Sequence, residues 1–110
     1  MTKMSEVLAD ILGKRGFSAP TPEQKKRKLV FKTGFDLDIA YELVPRAVEL
    51  GPKVYIEQCR PPFERTVSIS IYASEHEVFY LKAYCSSANQ AEAAVEELTV
   101  ICSAREDAHE

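Results

Sequence analysis

The chain has 110 residues, of which 45% are hydrophobic and 28% charged, as is typical of one globular domain. No apolar run approaches the roughly 18 residues of a membrane-spanning helix. Glu6 and Asp10 interrupt the first apolar segment, which argues against a secretory signal. We therefore expect an intracellular, cytoplasmic protein without membrane contact. The net charge of -3 conceals an asymmetry, because the charged residues of segment 1–34 are mainly basic and those of segment 86–110 are mainly acidic.

The first predicted element is a short amphipathic helix that ends near Gly13 and Gly16. Its apolar residues recur every three or four positions from Met4 onward. A helix of this length is unstable alone in water, so it either packs on the domain or binds a partner. A docking helix for another protein, or an exchange arm in a dimer, would use this apolar face. The candidate partner-binding residues are Val7, Leu8, Ile11 and Leu12.

A linker containing Pro20 and Pro22 leads to the basic run Lys25–Lys28, and these features complete an N-terminal region of residues 1–34. The basic run is interpreted as a phosphate-contacting arm, a nuclear-localisation signal or a solvated linker. Two arginines near residues 60–65 could add to a nucleic-acid surface. The candidate nucleic-acid residues are Lys25, Lys26, Arg27, Lys28, Lys32, Arg60 and Arg65.

The segment from residue 35 to 51 allows two interpretations. Its apolar residues alternate like a strand as far as Leu43, but its polar residues recur at helical spacing over the whole segment. The helix is favoured because it is longer and ends at Gly51, a normal stop signal. Pro45 predicts a kink or a break in this helix. A strand over Asp36–Val44, paired with Leu29–Phe31, is the alternative.

Three strands and a helix follow in the predicted order. Val54–Cys59, Thr66–Tyr72 and Glu77–Cys85 show strand patterns, and their short connections favour an antiparallel meander. Ser87 and Gln90 have capping-box spacing, which predicts a helix whose alanines pack on the sheet. The predicted fold class is α+β, a three-stranded antiparallel sheet packed by two helices (α-β-β-β-α) in residues 35–104. An acidic tail, residues 105–110, ends the sequence.

The order and spacing of residues 36–103 resemble the double-stranded RNA-binding domain family. "YIEQCRPPFERTVSISI" resembles the family's first two strands and their loop, and "AYCSSANQAEAA" resembles its G-x-G-x-S-K-K-x-A-K signature. Ser87, Ala91 and Ala94 match the serine and the two packing alanines. The departures fall on residues that the family uses for RNA, where this chain has Phe63, Ala83, Cys85, Ala88, Asn89 and Glu92.

The resemblance implies a binding module that lacks the family's RNA-contacting lysines. Without those charges the phosphate attraction at the start of the last helix is lost. Family members of this kind are commonly protein-interaction modules and often self-associate. We therefore expect a non-enzymatic module that binds another protein or itself, with nucleic-acid binding through the basic run as the alternative.

Catalytic and metal chemistry find little support in the sequence. The close spacing of zinc ligands is missing among Cys59, Cys85, Cys102 and His76. The sequence also shows no pattern that combines a catalytic acid, a base and a nucleophile. A small enzyme is the third function class, and no catalytic, cofactor or metal residue is predicted. An aromatic platform for bases could be formed by Tyr55, Tyr72, Tyr80 and Tyr84 with Phe63 and Phe79, and the sheet core or a protein interface are the other interpretations.

Overall fold

The computed structural model describes residues 3–108, with side chains as far as residue 104. Within residues 3–108 the chain forms three helices and one five-stranded sheet. No helix in this part of the chain is long and apolar enough to cross a membrane. The elements are α1 (Met4–Lys14), β1 (Glu23–Lys25), β2 (Lys28–Asp36), α2 (Leu37–Leu50), β3 (Lys53–Gln58), β4 (Thr66–Ser74), β5 (Glu77–Tyr84) and α3 (Ala88–Ala108).

The sheet has the order β1-β2-β5-β4-β3, which corrects the predicted fold. The antiparallel meander of β3, β4 and β5 and the α+β class are confirmed. A sheet of only three antiparallel strands is wrong, because β2 pairs in parallel with β5 and carries β1 on its other edge. The sequence pattern allows Leu29–Phe31 as a strand only beside Asp36–Val44. The actual pairing of β2 with β5 is not predicted because the partners are distant in sequence, with Leu29 opposite Glu77. The facing edges of β2 and β5 are thereby paired with each other, and no local sequence pattern reveals this pairing.

The two faces of the sheet differ because side chains alternate along each strand. One face packs against the helices and includes Phe31, Phe79 and Ile71, which lie side by side in register. Phe31 and Phe79 stack with their ring centroids 4.4 Å apart. The opposite face carries none of the helices of residues 3–108, and we call it the uncovered face.

Helix α1 belongs to this core. Its five apolar residues are buried and pack in one cluster with the apolar residues of α2 and the sheet. At the rim of this contact, Arg46 of α2 donates a hydrogen bond of 3.1 Å to Asp10 of α1, and Arg15 lies 3.8 Å from Glu42. Exposed pairs of this kind orient the helices more than they stabilise them. Helix α1 and strands β1 and β2 therefore belong to the same core and sheet as the rest of the domain.

The favoured helix for residues 37–50 is confirmed, and the strand alternative for Asp36–Val44 is wrong. Of the kink or break predicted at Pro45, the break does not occur, since the helix continues through Pro45 to Gly51, whose φ of 100° is left-handed. The buried face of α2, which includes Leu43, Val44 and Ala47, holds the helix in place despite the missing amide hydrogen.

Helix α3 begins as predicted. The Ser87 hydroxyl accepts a hydrogen bond of 3.0 Å from the amide of Gln90, while the Gln90 side chain accepts one of 2.6 Å from the amide of Ser86. Ala91 and Ala94 lie on the side of the helix that faces the sheet, and both are buried in the core. The helix extends to Ala108, and the side chains of the predicted acidic tail, residues 105–110, lie outside the described residues.

Candidate functional site

A groove on the uncovered face contains most of the charge predicted to bind nucleic acid. The β1–β2 hairpin forms one side of this groove, and β5 and the β4–β5 turn form the other. Its volume is about 1120 Å³. Val30 and Val78 pair in register and form a buried apolar floor. The groove is also lined by six basic residues, which define the basic groove: Lys25, Lys26, Arg27, Lys28, Lys32 and Lys82.

The charges in this groove are poorly balanced. Glu75, beside His76 in the β4–β5 turn, is the acidic residue among those that line it. Glu23 lies 3.6 Å from Lys25 and partly neutralises it. Hydrogen bonding from Lys25 and repulsion by its positive charge both favour the neutral amine of Lys32 and so lower the pKa of Lys32, while the charge of Glu23 opposes this effect. An anion bound near both lysines would offset the repulsion that lowers this pKa.

The turn of the hairpin also departs from local preference. Lys26 and Arg27 connect the paired residues Lys25 and Lys28, and Lys26 has a φ of 56°. Asn-Gly and Asp-Gly are the common sequences for a two-residue hairpin turn, because left-handed backbone disfavours larger side chains. The chain therefore places two cations at a position where small residues would fit the backbone better.

Tyrosines occupy the uncovered face beside the basic groove. Tyr80 and Tyr84 line the groove, and Tyr72 and Tyr55 continue across β4 and β3. Tyr55 and Tyr72 meet edge to face with ring centroids 5.6 Å apart, and Tyr72 and Tyr80 do so at 6.5 Å. A hydrogen-bonding interaction with Tyr80 raises the pKa of Tyr72, while nearby Lys28 opposes the shift. All four rings are exposed.

Tyr84 depends on a glycine for its position. A Cβ atom at Gly34 would lie 2.6 Å from Cε2 of Tyr84, which is closer than any ordinary contact. Gly34 is in β2, one strand away from Tyr84 in β5. The absent side chain lets the tyrosine ring lie directly over the neighbouring strand.

The two arginines predicted with the basic run lie elsewhere. Arg60 and Arg65 flank the β3–β4 loop, where the carbonyl of Arg65 accepts a hydrogen bond from the amide of Cys85 beyond the end of β5. Lys28 precedes Leu29, which pairs with Glu77 at the beginning of β5. The structure therefore unites Lys25–Lys28 with Lys32 and leaves the arginines at the opposite end of the sheet.

The predicted partner-binding residues of α1 are not on the surface. Val7, Leu8, Ile11 and Leu12 are each at most 2% exposed, because α1 packs on α2. Sequence spacing could identify this apolar face but could not tell whether the domain or a partner covers it.

No group of three or more histidine, cysteine or acidic side chains within residues 3–108 could hold a metal ion. Cys59 and Cys85 lie at the ends of β3 and β5, whereas His76 is in the β4–β5 turn at the other end of the sheet. Comparison with known proteins found no matching family model, no matching curated protein and no matching solved structure. The groove and its neighbouring residues are therefore the features of the structure that bear on function.

Proposed function

We propose that the chain is a non-enzymatic nucleic-acid-binding module whose basic groove contacts phosphate groups. The observation that supports this proposal most directly is the presence of six basic side chains and one acidic side chain around one apolar-floored groove. The acidic face of α3, with Glu92 and Glu96 exposed, lies on the helical side of the sheet. The overall negative charge of the chain is therefore compatible with a locally positive surface, which attracts polyanions.

The start of α3 contributes little to such binding. Double-stranded RNA-binding domains, which this part of the chain resembles, have basic residues at the start of this helix. Here Ala88 and Asn89 are neutral and Glu92 is acidic. The proposed contact surface is therefore on the side of the sheet opposite the helices. It uses the β1–β2 hairpin, which precedes the part of the chain covered by the resemblance.

Fluorescence anisotropy with a labelled oligonucleotide at several salt concentrations tests the proposal. Affinity should fall steeply with salt, with a slope of roughly 0.7 to 0.9 for each phosphate contact. The double variant Lys25→Gln/Lys28→Gln should weaken binding and reduce that slope. Arg60→Gln/Arg65→Gln removes the same charge at the opposite end of the sheet and should have little effect. The proposal is wrong if the native chain shows no binding at low salt.

Protein–protein contact, including self-association as a dimer, is the second proposed function. The observation favouring it is a set of exposed aromatic side chains, among them Tyr55 on edge strand β3 and Phe63, which is 64% exposed. Aromatic residues are enriched at protein interfaces. Sedimentation of the purified chain over a wide concentration range should show a dimer if these residues mediate self-association. A monomer at all concentrations would exclude self-association.

A further inference from the structure

We infer that the ligand is single-stranded nucleic acid that crosses the sheet at right angles to its strands, with bases stacked on Tyr80, Tyr72 and Tyr55. These three residues are called the tyrosine row. This inference rests on the proposed function and adds to it the class of nucleic acid and its path.

Two adjacent rows of side chains on the uncovered face combine aromatic rings with positive ends. One row contains Lys53, Tyr72, Val78 and Val30, and the next contains Tyr55, Ser70, Tyr80 and Lys32, from β3 to β2. The distance from β3 to β2 is roughly 14 Å, since neighbouring strands lie about 4.8 Å apart. Lys53 thus lies at one end of the rings, and the basic groove lies at the other.

From β3 to β2, the acidic residues of this face fall in other rows; on β1, Glu23 pairs with Val30 at the end of the first row, where it lies 3.6 Å from Lys25. Glu57 shares a row with Ser68, Lys82 and Gly34, and Asp36 shares one with Tyr84 and Thr66. Both rows are nearer the β3–β4 loop. Repulsion from these carboxylates favours a path along the two rows nearer the β4–β5 turn, where the lysines and the tyrosine row lie.

The exposed rings of the tyrosine row favour a single-stranded ligand over a duplex. In a duplex the bases are stacked on one another and present only their edges and the phosphates to a flat protein surface. A single strand can turn its bases onto aromatic side chains while basic groups follow its backbone. Tyr55 is 55% exposed, and Tyr72 and Tyr80 are each 41% exposed, so the rings are accessible. The tyrosine row therefore contributes only to the binding of a single strand.

The chain provides its own optical probe for this contact. It has five tyrosines and no tryptophan, and four of the tyrosines are on the uncovered face. Bases that stack on these rings should quench tyrosine fluorescence. Dextran sulfate, a polyanion without bases, should compete for the basic groove but produce much less quenching. This comparison separates stacking from charge attraction.

The decisive experiment measures the affinity of the native chain and its variants for single-stranded and duplex oligonucleotides of equal length. We expect tighter binding of the single strand, and a loss of roughly tenfold for Tyr72→Leu or Tyr80→Leu with an unchanged salt slope. Tyr72→Phe keeps the ring and should retain the affinity. Phe63→Leu, which removes an exposed ring from the β3–β4 loop, should behave like the native chain. Circular dichroism confirms that each variant is folded.

The outcomes separate this inference from the proposed function. Salt-dependent binding that is equal or stronger for the duplex, or that is insensitive to both leucine variants, overturns the inference and leaves the proposed function in place. The tyrosine row would then be assigned to protein contact. Absence of binding to either form overturns both. Parallel titrations with oligouridine and oligodeoxythymidine identify the preferred sugar, and selective binding of either one supports the inference.

Discussion

Replacement of Leu8 by alanine tests whether α1 is part of the domain or a helix held for a partner. Leu8 is fully buried in the cluster that α1 forms with α2 and the sheet. Truncation of a buried leucine removes its apolar contacts and leaves a cavity, which together destabilise a protein by about 2–5 kcal/mol. We expect a loss near 3 kcal/mol, a large part of the total stability of a domain of this size.

Urea denaturation followed by circular dichroism gives the free energy of unfolding directly. The midpoint should fall in Leu8→Ala while the dependence on urea stays unchanged, because α1 unfolds together with the sheet. The melting temperature should fall by roughly 10 °C. Val100→Ala provides the control, since Val100 is 66% exposed on α3 and its truncation should change stability by less than about 0.5 kcal/mol.

A loss in Leu8→Ala no larger than that in Val100→Ala would refute this reasoning. It would mean that α1 detaches without unfolding the domain. The apolar face formed by Val7, Leu8, Ile11 and Leu12 would then be available to a partner, as the sequence alone allowed.

Three further predictions concern the uncovered face and the helices. Lys26→Asn should stabilise the fold by about 0.5 kcal/mol, because asparagine tolerates left-handed backbone better than lysine does. The same change removes a positive charge and should weaken oligonucleotide binding. Thermal melting and anisotropy measure the two effects, and a destabilised variant would contradict the backbone strain assigned to this turn. Gly34→Ala should displace Tyr84 but leave oligonucleotide affinity nearly unchanged, because Tyr84 lies outside the two rows of the inferred path. Anisotropy measures the affinity, and an unaltered Tyr84 position in a structure of the variant would count against the contact. Burial, together with the hydrogen bond that Tyr41 donates to Glu97, raises the pKa of Tyr41 from 10.0 to about 12. The protonated hydroxyl is therefore favoured in the folded state, and its contribution to stability is complete below pH 10 and is lost as the pH rises through 12. The native chain should lose stability over this range more steeply than Tyr41→Phe in urea titrations, and equal slopes would disprove the shift.

Local patterns in the sequence were sufficient for most elements of the fold. The spacing of apolar residues predicts α1, the alternation in Thr66–Tyr72 predicts β4, and Ser87 with Gln90 predicts the beginning of α3. In each case the information lies within one helical turn or one strand. Pro45 shows the limit of such rules, because the buried face of α2 overrides the break that proline favours.

The groove required information that no local pattern contains. The basic run and the tyrosines were each recognised, but their common face depends on the register of β2 against β5, which places Lys32 opposite Tyr80. The same long-range pairing separates Arg60 and Arg65 from the basic run, although charge alone grouped them. Sequence reasoning therefore identified the components of the candidate site but not their arrangement.

The parallel pairing of β2 with β5 also determines when the protein can finish folding during its synthesis. Strand β2 leaves the ribosome before its central partner β5, and the 40 residues between them, 37–76, take several seconds to make at about 5–20 residues per second. During that interval Val30, Phe31 and Phe35 have no strand beside them on that edge. Lysines of β1 and β2 flank these residues, and charge beside an unpaired apolar strand disfavours its association with other chains. We therefore expect the cations that line the groove to limit aggregation of the chain before the groove exists.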